Sequence, residues 1–379
     1  MQIYKDRQLC TGCSNCANKC PQQCIEMLPN KKGFLYPHVD NDKCINCKIC
    51  QKVCPTYIEE CDKNKPRLFS YTNENLDVLN NCSSGGAFGL IADKVLADNG
   101  YVCGAVWTSD FRVTHIVTNS FKAVKRMYGS KYLQSNLNNC FVNIEKLLKN
   151  DNKVLFSGTP CQVLALNKFL NKEYPNLITV DFICHSIPSP KVFDVYIKSL
   201  EKHNGKLKAF NFRDKTDGWL DYSLKAEFEN KTELYPHKGN VYMELFLDGI
   251  THRECCNRCV VKTITGYVSD ITLADFWGIK EISPQVYNKK GVSAILVNTQ
   301  KGSELLKNEN LIGCDAKRFF MVNSAYNTPV IQNEKTQQFW DLFNKKGFNK
   351  ATKQIYKKSL IVYLKTVVKN TFNCHKRGR

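Results

Sequence analysis

The chain has 379 residues, of which 43% are hydrophobic and 23% charged, close to the average for globular proteins, and this excludes extensive disorder. Its 20 cysteines and its formal net charge of +19 both depart from that average. No apolar run reaches the roughly 18 residues of a membrane span, and the first residues lack the apolar stretch of a signal peptide. We therefore expect a cytoplasmic protein whose cysteines are metal ligands or reactive thiols rather than disulfides.

Two cysteine-rich segments within residues 1–62 share one spacing. Residues 10–21 read CTGCSNCANKCP, and residues 44–55 read CINCKICQKVCP. This C-x2-C-x2-C-x3-C-P pattern is typical of bacterial ferredoxins, in which three cysteines of one run bind one 4Fe-4S cluster and the fourth binds the other. It predicts one cluster held by Cys10, Cys13, Cys16 and Cys54, and a second held by Cys20, Cys44, Cys47 and Cys50.

Zinc is the alternative metal for the cysteines of this ferredoxin-type domain. A pair of tetrahedral zinc sites would need only C-x2-C units, and it would leave the fourth cysteine and the proline of each run unexplained. Cys24 lies outside the repeated pattern, and we expect it to be a buried thiol rather than a ligand. The spacing therefore favours two 4Fe-4S clusters.

Residues 66–341 alternate apolar strands with helical stretches after a polar linker near residue 61. The sequence predicts strands at 68–71, 101–107, 153–157, 177–183 and 294–298, and helices at 87–97, 163–170 and 191–200. No G-x-G-x-x-G motif is present, which argues against a standard Rossmann unit. The predicted fold class is α+β, with a small bacterial-type ferredoxin module followed by a larger α/β domain with a mixed sheet.

Two glycine-containing segments of this larger domain precede predicted helices. Ser83, Ser84, Gly85 and Gly86 combine hydroxyls with unobstructed amides at a helix N-terminus, an arrangement that binds phosphate but that also occurs as an ordinary capped turn. The segment 157–162, SGTPCQ, links a strand to a helix in the same way. Its cysteine, Cys161, would be a nucleophile, a metal ligand or part of a plain capped turn.

Three further cysteines could complete a metal site with Cys161. Cys184 follows the strand at 177–183, and Cys256 and Cys259 form another C-x2-C pair. Four thiols suffice for a third 4Fe-4S cluster, although the large sequence separations leave a set of structural thiols as an alternative.

The C-terminal segment 342–379 carries most of the excess positive charge. It contains 11 Lys or Arg and no Asp or Glu, so it accounts for +11 of the net +19. Residues 359–369 place apolar side chains at helical spacing between lysines. The segment is either a terminal helix packed on the body or an interfacial helix in weak contact with the inner membrane face, and its short apolar stretch favours the first. The weakly charged remainder predicts no nucleic-acid binding.

Several motifs together resemble one known family. They are GSKY at 129–132 with QS at 134–135, SGTPCQ at 157–162, CHSIPSP at 184–190, FRDK at 212–215 with GW at 218–219, and SDITLADFWG at 269–278. Their number and order resemble the coenzyme F(420) hydrogenase/dehydrogenase beta-subunit family, in particular a bacterial branch found beside polysaccharide-synthesis genes. The chain departs from the family pattern at Val268, where an arginine is expected, and at Ala274, where a glycine is expected.

This resemblance implies cofactors and site residues. Family members carry FAD and iron-sulfur clusters and move electrons between a two-electron donor and one-electron centres. By analogy, Ser83, Ser84, Gly85 and Gly86 would form the flavin loop, Lys131 and the turn Gly158, Thr159 and Pro160 would approach the flavin, and Cys161, Cys184, Cys256 and Cys259 would hold a third 4Fe-4S cluster.

Two functions follow as hypotheses. The first is an FAD- and iron-sulfur-dependent oxidoreductase acting with a small-molecule donor. The second is an electron-transfer adaptor that feeds a redox partner protein and has no substrate of its own. No catalytic acid or base is assigned, because His115, His185 and Asp275 are at least as well explained as structural hydrogen-bonding residues. The donor, the acceptor, the use of the deazaflavin coenzyme and the oligomeric state are not predicted by the sequence.

Overall fold

The structure is a computed structural model that describes residues 3–57, 66–265 and 268–356. The strands of this part are β1 (Ile25–Pro29), β2 (Leu35–Val39), β3 (Arg67–Tyr71), β4 (Tyr101–Trp107), β5 (Val113–Thr118), β6 (Ser135–Asn136), β7 (Val154–Ser157), β8 (Leu177–Phe182), β9 (Leu207–Asp214), β10 (Ser223–Phe228), β11 (Thr232–Pro236), β12 (Ile271–Asp275), β13 (Ser293–Val297) and β14 (Ile312–Gly313).

The α-helices of the described residues separate these strands. They are α1 (Asn15–Asn18), α2 (Ile49–Lys52), α3 (Leu76–Asn81), α4 (Ala87–Ala97), α5 (Phe121–Lys125), α6 (Cys140–Lys149), α7 (Pro160–Leu170), α8 (Pro190–Asn204), α9 (Val241–Leu247), α10 (Ile279–Ile282), α11 (Gln300–Leu305), α12 (Ala316–Val322), α13 (Thr336–Lys346) and α14 (Phe348–Tyr356).

The cysteine-rich N-terminal region repeats its backbone as well as its sequence. The helices α1 and α2 each follow a residue in the left-handed region, Ser14 at φ 66° and Lys48 at φ 60°. A second such pair precedes them, with Gly12 at φ 72° and Asn46 at φ 54°. Both pairs are separated by the period of the sequence repeat, so the two cysteine loops have the same conformation. The antiparallel hairpin β1–β2 completes this ferredoxin-like module.

A nine-stranded mixed sheet forms the centre of the larger domain. Its order is β14-β3-β13-β12-β8-β7-β4-β5-β6. The strands β12, β8, β7 and β4 run parallel, whereas β13 and β5 are antiparallel to their neighbours in that group. The carboxyl ends of parallel strands meet at one edge of a sheet, and ligands of open α/β sheets bind at this edge. The α+β class with a mixed sheet is confirmed.

Hydrophobic alternation and burial explain why the predicted elements form. The strands β3, β4, β7, β8 and β13 lie at the predicted strand positions, and α4, α7 and α8 lie at the predicted helix positions. Val154–Phe156 and all of β13 are buried, as expected for strands covered on both faces. The helix α7 begins earlier than predicted because Thr159 caps it, with Gln162 completing a capping box and Pro160 in its first turn.

A second core lies beneath the three-stranded antiparallel sheet β11-β10-β9. It is rich in aromatic residues and includes side chains from α8, α9, α13 and α14, among them Phe193, Tyr242, Phe339, Trp340 and Phe348. The expected division between residues 341 and 342 falls inside α13, so the basic segment begins as helices packed on the body. The amphipathic stretch 359–369 lies outside the described residues.

No helix of the described residues is long and apolar enough to cross a membrane.

Candidate redox site

Four cysteines of the N-terminal module surround one cavity. Cys10, Cys13, Cys16 and Cys54 all line it, together with Ile3 and Met27. Cys16 lies within electrostatic range of the other three, so the structure brings together the set that the repeat predicts, with Cys54 contributed by the second repeat. Burial raises the pKa of Cys13 to about 12. We call these four residues the proximal group.

The chemistry of the proximal group fits an iron-sulfur cluster. Thiols in this apolar cavity stay protonated at neutral pH unless a cation stabilises the thiolate, and iron supplies that stabilisation. Among the described residues, no three His, Cys, Asp or Glu side chains converge closely enough to hold a single metal ion. Four thiols that line one cavity are the number that a 4Fe-4S cluster needs.

The second predicted set lies at the outer end of the module. Cys20 and Cys47 are both within electrostatic range of Cys50, and Cys44 is within range of Cys24. Cys47 is exposed, whereas Cys50 is buried. We call Cys20, Cys44, Cys47 and Cys50 the distal group, since it reaches the protein surface.

Cys24 is buried, as expected, but it is not isolated from the distal group. Its Sγ lies 3.4 Å from that of Cys20. Burial and the neighbouring Cys20 thiol raise the pKa of Cys24 to about 11. Cys24 therefore lies beside the distal group, and its role as a non-ligand stays a prediction.

Three cysteines of the third predicted set lie together at the carboxyl edge of the sheet, since Cys161 and Cys259 are both within electrostatic range of Cys184, whereas Cys256 is placed only by its contact with Cys255. Cys161 lies in the first turn of α7 after β7, and Cys184 follows the neighbouring strand β8. Cys256 and Cys259 come from a 3-10 turn at Glu254–Arg258, which a bridge between Pro188 and His252 holds near Cys184. We call Cys161, Cys184, Cys256 and Cys259 the third group.

The structure adds a fifth thiol to this set. Cys255 is buried and lies within electrostatic range of Cys161, Cys184 and Cys259, and Cys256 contacts Cys255. A 4Fe-4S cluster needs four thiols, so either Cys255 or Cys256 would be the fourth ligand beside Cys161, Cys184 and Cys259. Sequence reasoning did not consider Cys255 because only Cys256 and Cys259 have C-x2-C spacing.

The third group lies close to the module, which hydrogen-bonds to α7 of the larger domain. Cys255 is within electrostatic range of Cys10, and Cys161 is within range of Cys13. Buried hydrogen bonds fix this arrangement: Asn15 Nδ2 donates to the carbonyl oxygens of Val53 (2.9 Å) and Ala165 (2.7 Å). The three groups therefore lie in the order third, proximal, distal, from the sheet edge to the surface.

The predicted flavin loop is packed against its own chain. Ser83 Oγ lies 2.8 Å from Ser130 Oγ, and Ser84 Oγ donates to the Val292 carbonyl oxygen at 2.7 Å. A Cβ on Gly85 would lie 2.2 Å from the Tyr71 carbonyl oxygen, so the close approach of β3 requires glycine there. The hydroxyls are engaged internally, whereas the amides of Gly85 and Gly86 donate to no acceptor among the described residues.

Cationic side chains surround this loop. Lys215 Nζ donates to the carbonyl oxygen of Ser84 at 2.8 Å, and Arg213 Nη2 donates to that of Ser83 at 3.3 Å. Lys131 follows Ser130 directly and donates to three carbonyl oxygens at 3.0–3.1 Å, those of residues 127, 128 and 129. Burial lowers the pKa of Lys131 to about 7. Positive charge and free amides at the N-terminus of α4 fit a phosphate-bearing ligand.

His115 joins Ser135 to Ser157, the residue that precedes the turn Gly158, Thr159 and Pro160. Its Nε2 lies 3.0 Å from the Ser157 carbonyl oxygen, so Nε2 is the donor, and Nδ1 accepts from Ser135 Oγ at 2.7 Å. Burial, with a contribution from the charge of Lys131, lowers the pKa of His115 to about 4. His115 is therefore neutral at pH 7, and both of its ring nitrogens are hydrogen-bonded within the chain.

The other two candidate proton donors are also constrained. Asp275 accepts from both Nη atoms of Arg213, at 2.9 and 3.1 Å, and from the Trp219 indole at 2.7 Å. The Trp219 ring stacks on Trp277 at 5.0 Å. His185 has a pKa lowered by burial. The sequence did not predict the pairing of Arg213 with Asp275, although both lie in motifs on which the family resemblance was based.

Asp181, which the sequence did not single out, is a buried carboxyl group at the same sheet edge. With Pro160 and Cys184 it lines one cavity. Burial raises its pKa from 3.8 to about 7. At a pH between the unfolded pKa of 3.8 and the folded pKa of about 7, Asp181 is protonated in the folded state and ionised in the unfolded state. The free energy of unfolding therefore falls as the pH rises from about 4 to about 7.

We expect Asp181→Asn to stabilise the protein at pH 8 much more than at pH 4. The difference should amount to roughly 1.4 kcal/mol for each pH unit between these two pKa values, up to about 4 kcal/mol. The apparent Tm of both proteins at the two pH values measures it, with Asp151→Asn at an exposed position as the control. Equal gains at both pH values would show that Asp181 ionises normally.

Comparisons with known proteins cover both parts of the chain. Residues 151–313 match the family model for the C-terminal region of the coenzyme F(420) hydrogenase/dehydrogenase beta subunit, and residues 9–58 match the 4Fe-4S dicluster domain.

Similar individual proteins share mainly the cysteine-rich region. A polyferredoxin-like protein from Methanocaldococcus jannaschii is 36% identical over 58 residues, which are 13% of this chain and 34% of that protein. A ferredoxin from the same organism is 36% identical over 56 residues, 15% of this chain and 71% of the ferredoxin. The chain thus spans about a third of the polyferredoxin-like protein. One chain of the F(420)-reducing NiFe hydrogenase complex from Methanosarcina barkeri superposes with a TM-score of 0.45 and 14% identity, over 80% of this chain and 96% of that one.

Proposed function

The chain joins a 4Fe-4S dicluster domain to a domain of the coenzyme F(420) hydrogenase/dehydrogenase beta-subunit family, and on this basis we propose that it is an iron-sulfur flavoprotein that moves electrons between a two-electron donor and one-electron carriers. The two matched domains alone support a more general statement, that the chain is an iron-sulfur electron-transfer protein related to redox enzymes.

The spatial order of the three cysteine groups supports the proposal most strongly. They form a row in space from the edge of the sheet to the protein surface. Cys10 of the proximal group is within electrostatic range of Cys255, and Cys13 is within range of Cys161 of the third group. The distal group ends at the exposed Cys47. Such a row is what electron transfer from a buried site to an external partner requires. A ferredoxin module without that contact would serve only as a detached carrier.

The loop Ser83–Gly86 supports the flavin part of the proposal. FAD, when bound, exchanges two electrons with a donor and single electrons with iron-sulfur clusters. Free amides at the start of α4 and the cations Arg213 and Lys215 would hold its phosphates. Asp275 neutralises Arg213, so Lys215 and Lys131 contribute the net positive charge.

Lys131 is the residue of this site best suited to hold a proton near neutral pH. Three carbonyl oxygens fix its Nζ, and burial places its pKa at about 7. It would therefore release or take up a proton with little cost at physiological pH.

Lys131→Met is expected to lower the FAD content of the purified protein at least tenfold, because it removes both charge and anchor beside the loop. Lys125→Met is the matched control, since Lys125 is 59% exposed and pairs with Asp77 at the surface. FAD released by denaturation is quantified for both variants. Normal FAD in Lys131→Met would remove this lysine from the proposed site.

The exposed end of the distal group favours the adaptor as the second candidate function. Ile45 is 61% exposed beside Cys47, which suits docking of a redox partner protein. Anaerobic titration with reduced deazaflavin coenzyme, reduced nicotinamides and sugar-related substrates separates the two functions. Bleaching of a flavin band by one of these supports the oxidoreductase, whereas reduction only by a protein partner supports the adaptor.

A further inference from the structure

Arg253 is a buried cation between two cysteine groups. Its side chain is 1% exposed. Nε donates to the Cys10 carbonyl oxygen at 2.7 Å, Nη1 to Gln134 Oε1 at 3.0 Å and Nη2 to the Leu35 carbonyl oxygen at 2.8 Å. Nη2 also lies 3.6 Å from Cys10 Sγ. The guanidinium thus contacts the first cysteine of the proximal group directly.

No carboxylate balances this charge. Among the described residues, no Asp or Glu oxygen lies within 4.0 Å of the Arg253 guanidinium, and its oxygen acceptors are neutral amide or carbonyl groups. The rings of Tyr36 and Phe34 lie 4.3 and 5.4 Å away. Burying an unpaired charge costs several kcal/mol, so some other anion must be expected nearby.

The groups that can supply negative charge are cysteines. The thiols in electrostatic range of Arg253 are Cys10 of the proximal group, Cys256 of the third group and the adjacent Cys255. A 4Fe-4S core with four thiolates carries a net negative charge that neutral thiols lack. The arginine is thus uncompensated in a cysteine-thiol protein and compensated in one that holds clusters.

We propose that Arg253 is the shared internal counter-charge of the proximal and third groups, and that it raises the reduction potential of the clusters held there. A fixed positive charge that donates toward a ligating sulfur stabilises the more negative, reduced cluster. Arg253 is a positioning residue as well, since it ties Cys10 to Leu35 and Gln134. For the proximal group the inference needs only the dicluster domain; for the third group it rests on the proposed function.

Redox titration of the whole protein, monitored by electron paramagnetic resonance, tests this role. At a fixed solution potential, Arg253→Gln is expected to lower the ratio of reduced to oxidised protein for at least one cluster about tenfold or more. A tenfold change corresponds to a shift in reduction potential of about 59 mV for a one-electron couple. Arg258→Gln is the matched control. Arg258 lies five residues on, is 57% exposed and pairs with Asp6, so solvent screens its charge and the potentials should not move.

A second variant decides the question if Arg253→Gln does not bind its clusters. Gln134→Glu keeps the side-chain shape and the contact to Nη1, but it gives the guanidinium a carboxylate partner and so cancels its charge. The proposal predicts that the potential again falls. Full iron content with unchanged potentials in whichever variant retains its clusters would overturn it.

The outcomes also separate this inference from the proposed function. If the wild-type protein contains only the dicluster iron and no flavin, the proposed function fails, yet the proximal cluster still reports on Arg253. If three clusters and FAD are present but neither variant shifts a potential, the proposed function stands and Arg253 is only a structural residue.

Discussion

Cys13→Ser is expected to lose one cluster, about four iron atoms per chain, and to keep its FAD. Cys13 lines the cavity of the proximal group with Cys10, Cys16 and Cys54, so serine leaves that cavity with three thiols. The loop proposed to bind FAD, Ser83–Gly86, packs against β3 and β13 at the start of α4, outside the module, and should be unaffected. Iron, sulfide and flavin are measured on one sample, and the reduced protein is examined by electron paramagnetic resonance.

The control for loss of a thiol is Cys314→Ser, since Cys314 lies outside all three groups. Its hydrogen bond to the Ile312 carbonyl oxygen is available to serine as well. It should retain full iron content. If Cys13→Ser also retains full iron with an unchanged cluster spectrum, the assignment of the proximal group is wrong.

A second large effect is expected at the pair Cys255 and Cys256. We expect Cys256→Ser to lose about four iron atoms, because Cys256 has the C-x2-C spacing to Cys259 by which adjacent ligands wrap a cluster. Cys255→Ser should keep its iron, because Cys255 faces Arg253 and Cys10 as well as the third group. The two variants differ by one position and control for each other.

The reverse result would have a clear meaning. Iron loss in Cys255→Ser alone would move the fourth ligand to Cys255, which lies in electrostatic range of Cys161, Cys184 and Cys259. Normal iron in both variants and in Cys184→Ser would show that the third group is a set of structural thiols and that the protein has only the two ferredoxin-type clusters.

The parts that the sequence predicts well are those determined by neighbouring residues. The 34-residue repeat predicts the two cysteine loops, and the structure shows the same left-handed residues in both, at Ser14 and Lys48. The strands of the central sheet follow from short apolar runs, since strands buried on both faces need apolar residues throughout. Thr159 and Pro160 mark the start of α7 by local capping chemistry.

The parts that sequence reasoning misses depend on residues far apart in the chain. Arg253 reaches Cys10 across 243 positions, and Arg213 reaches Asp275 across 62 positions. No local pattern in a single sequence marks such pairs. Asp181 is similar, because its raised pKa follows from burial beneath other elements rather than from its neighbours in the strand.

The most direct test of the account is to purify the full chain anaerobically and to measure iron, acid-labile sulfide and flavin on the same sample. We expect about twelve irons, about twelve sulfides and about one FAD per chain, corresponding to three 4Fe-4S clusters in a flavoprotein. About eight irons without flavin would contradict it, and would confine the redox chemistry to the ferredoxin-like module.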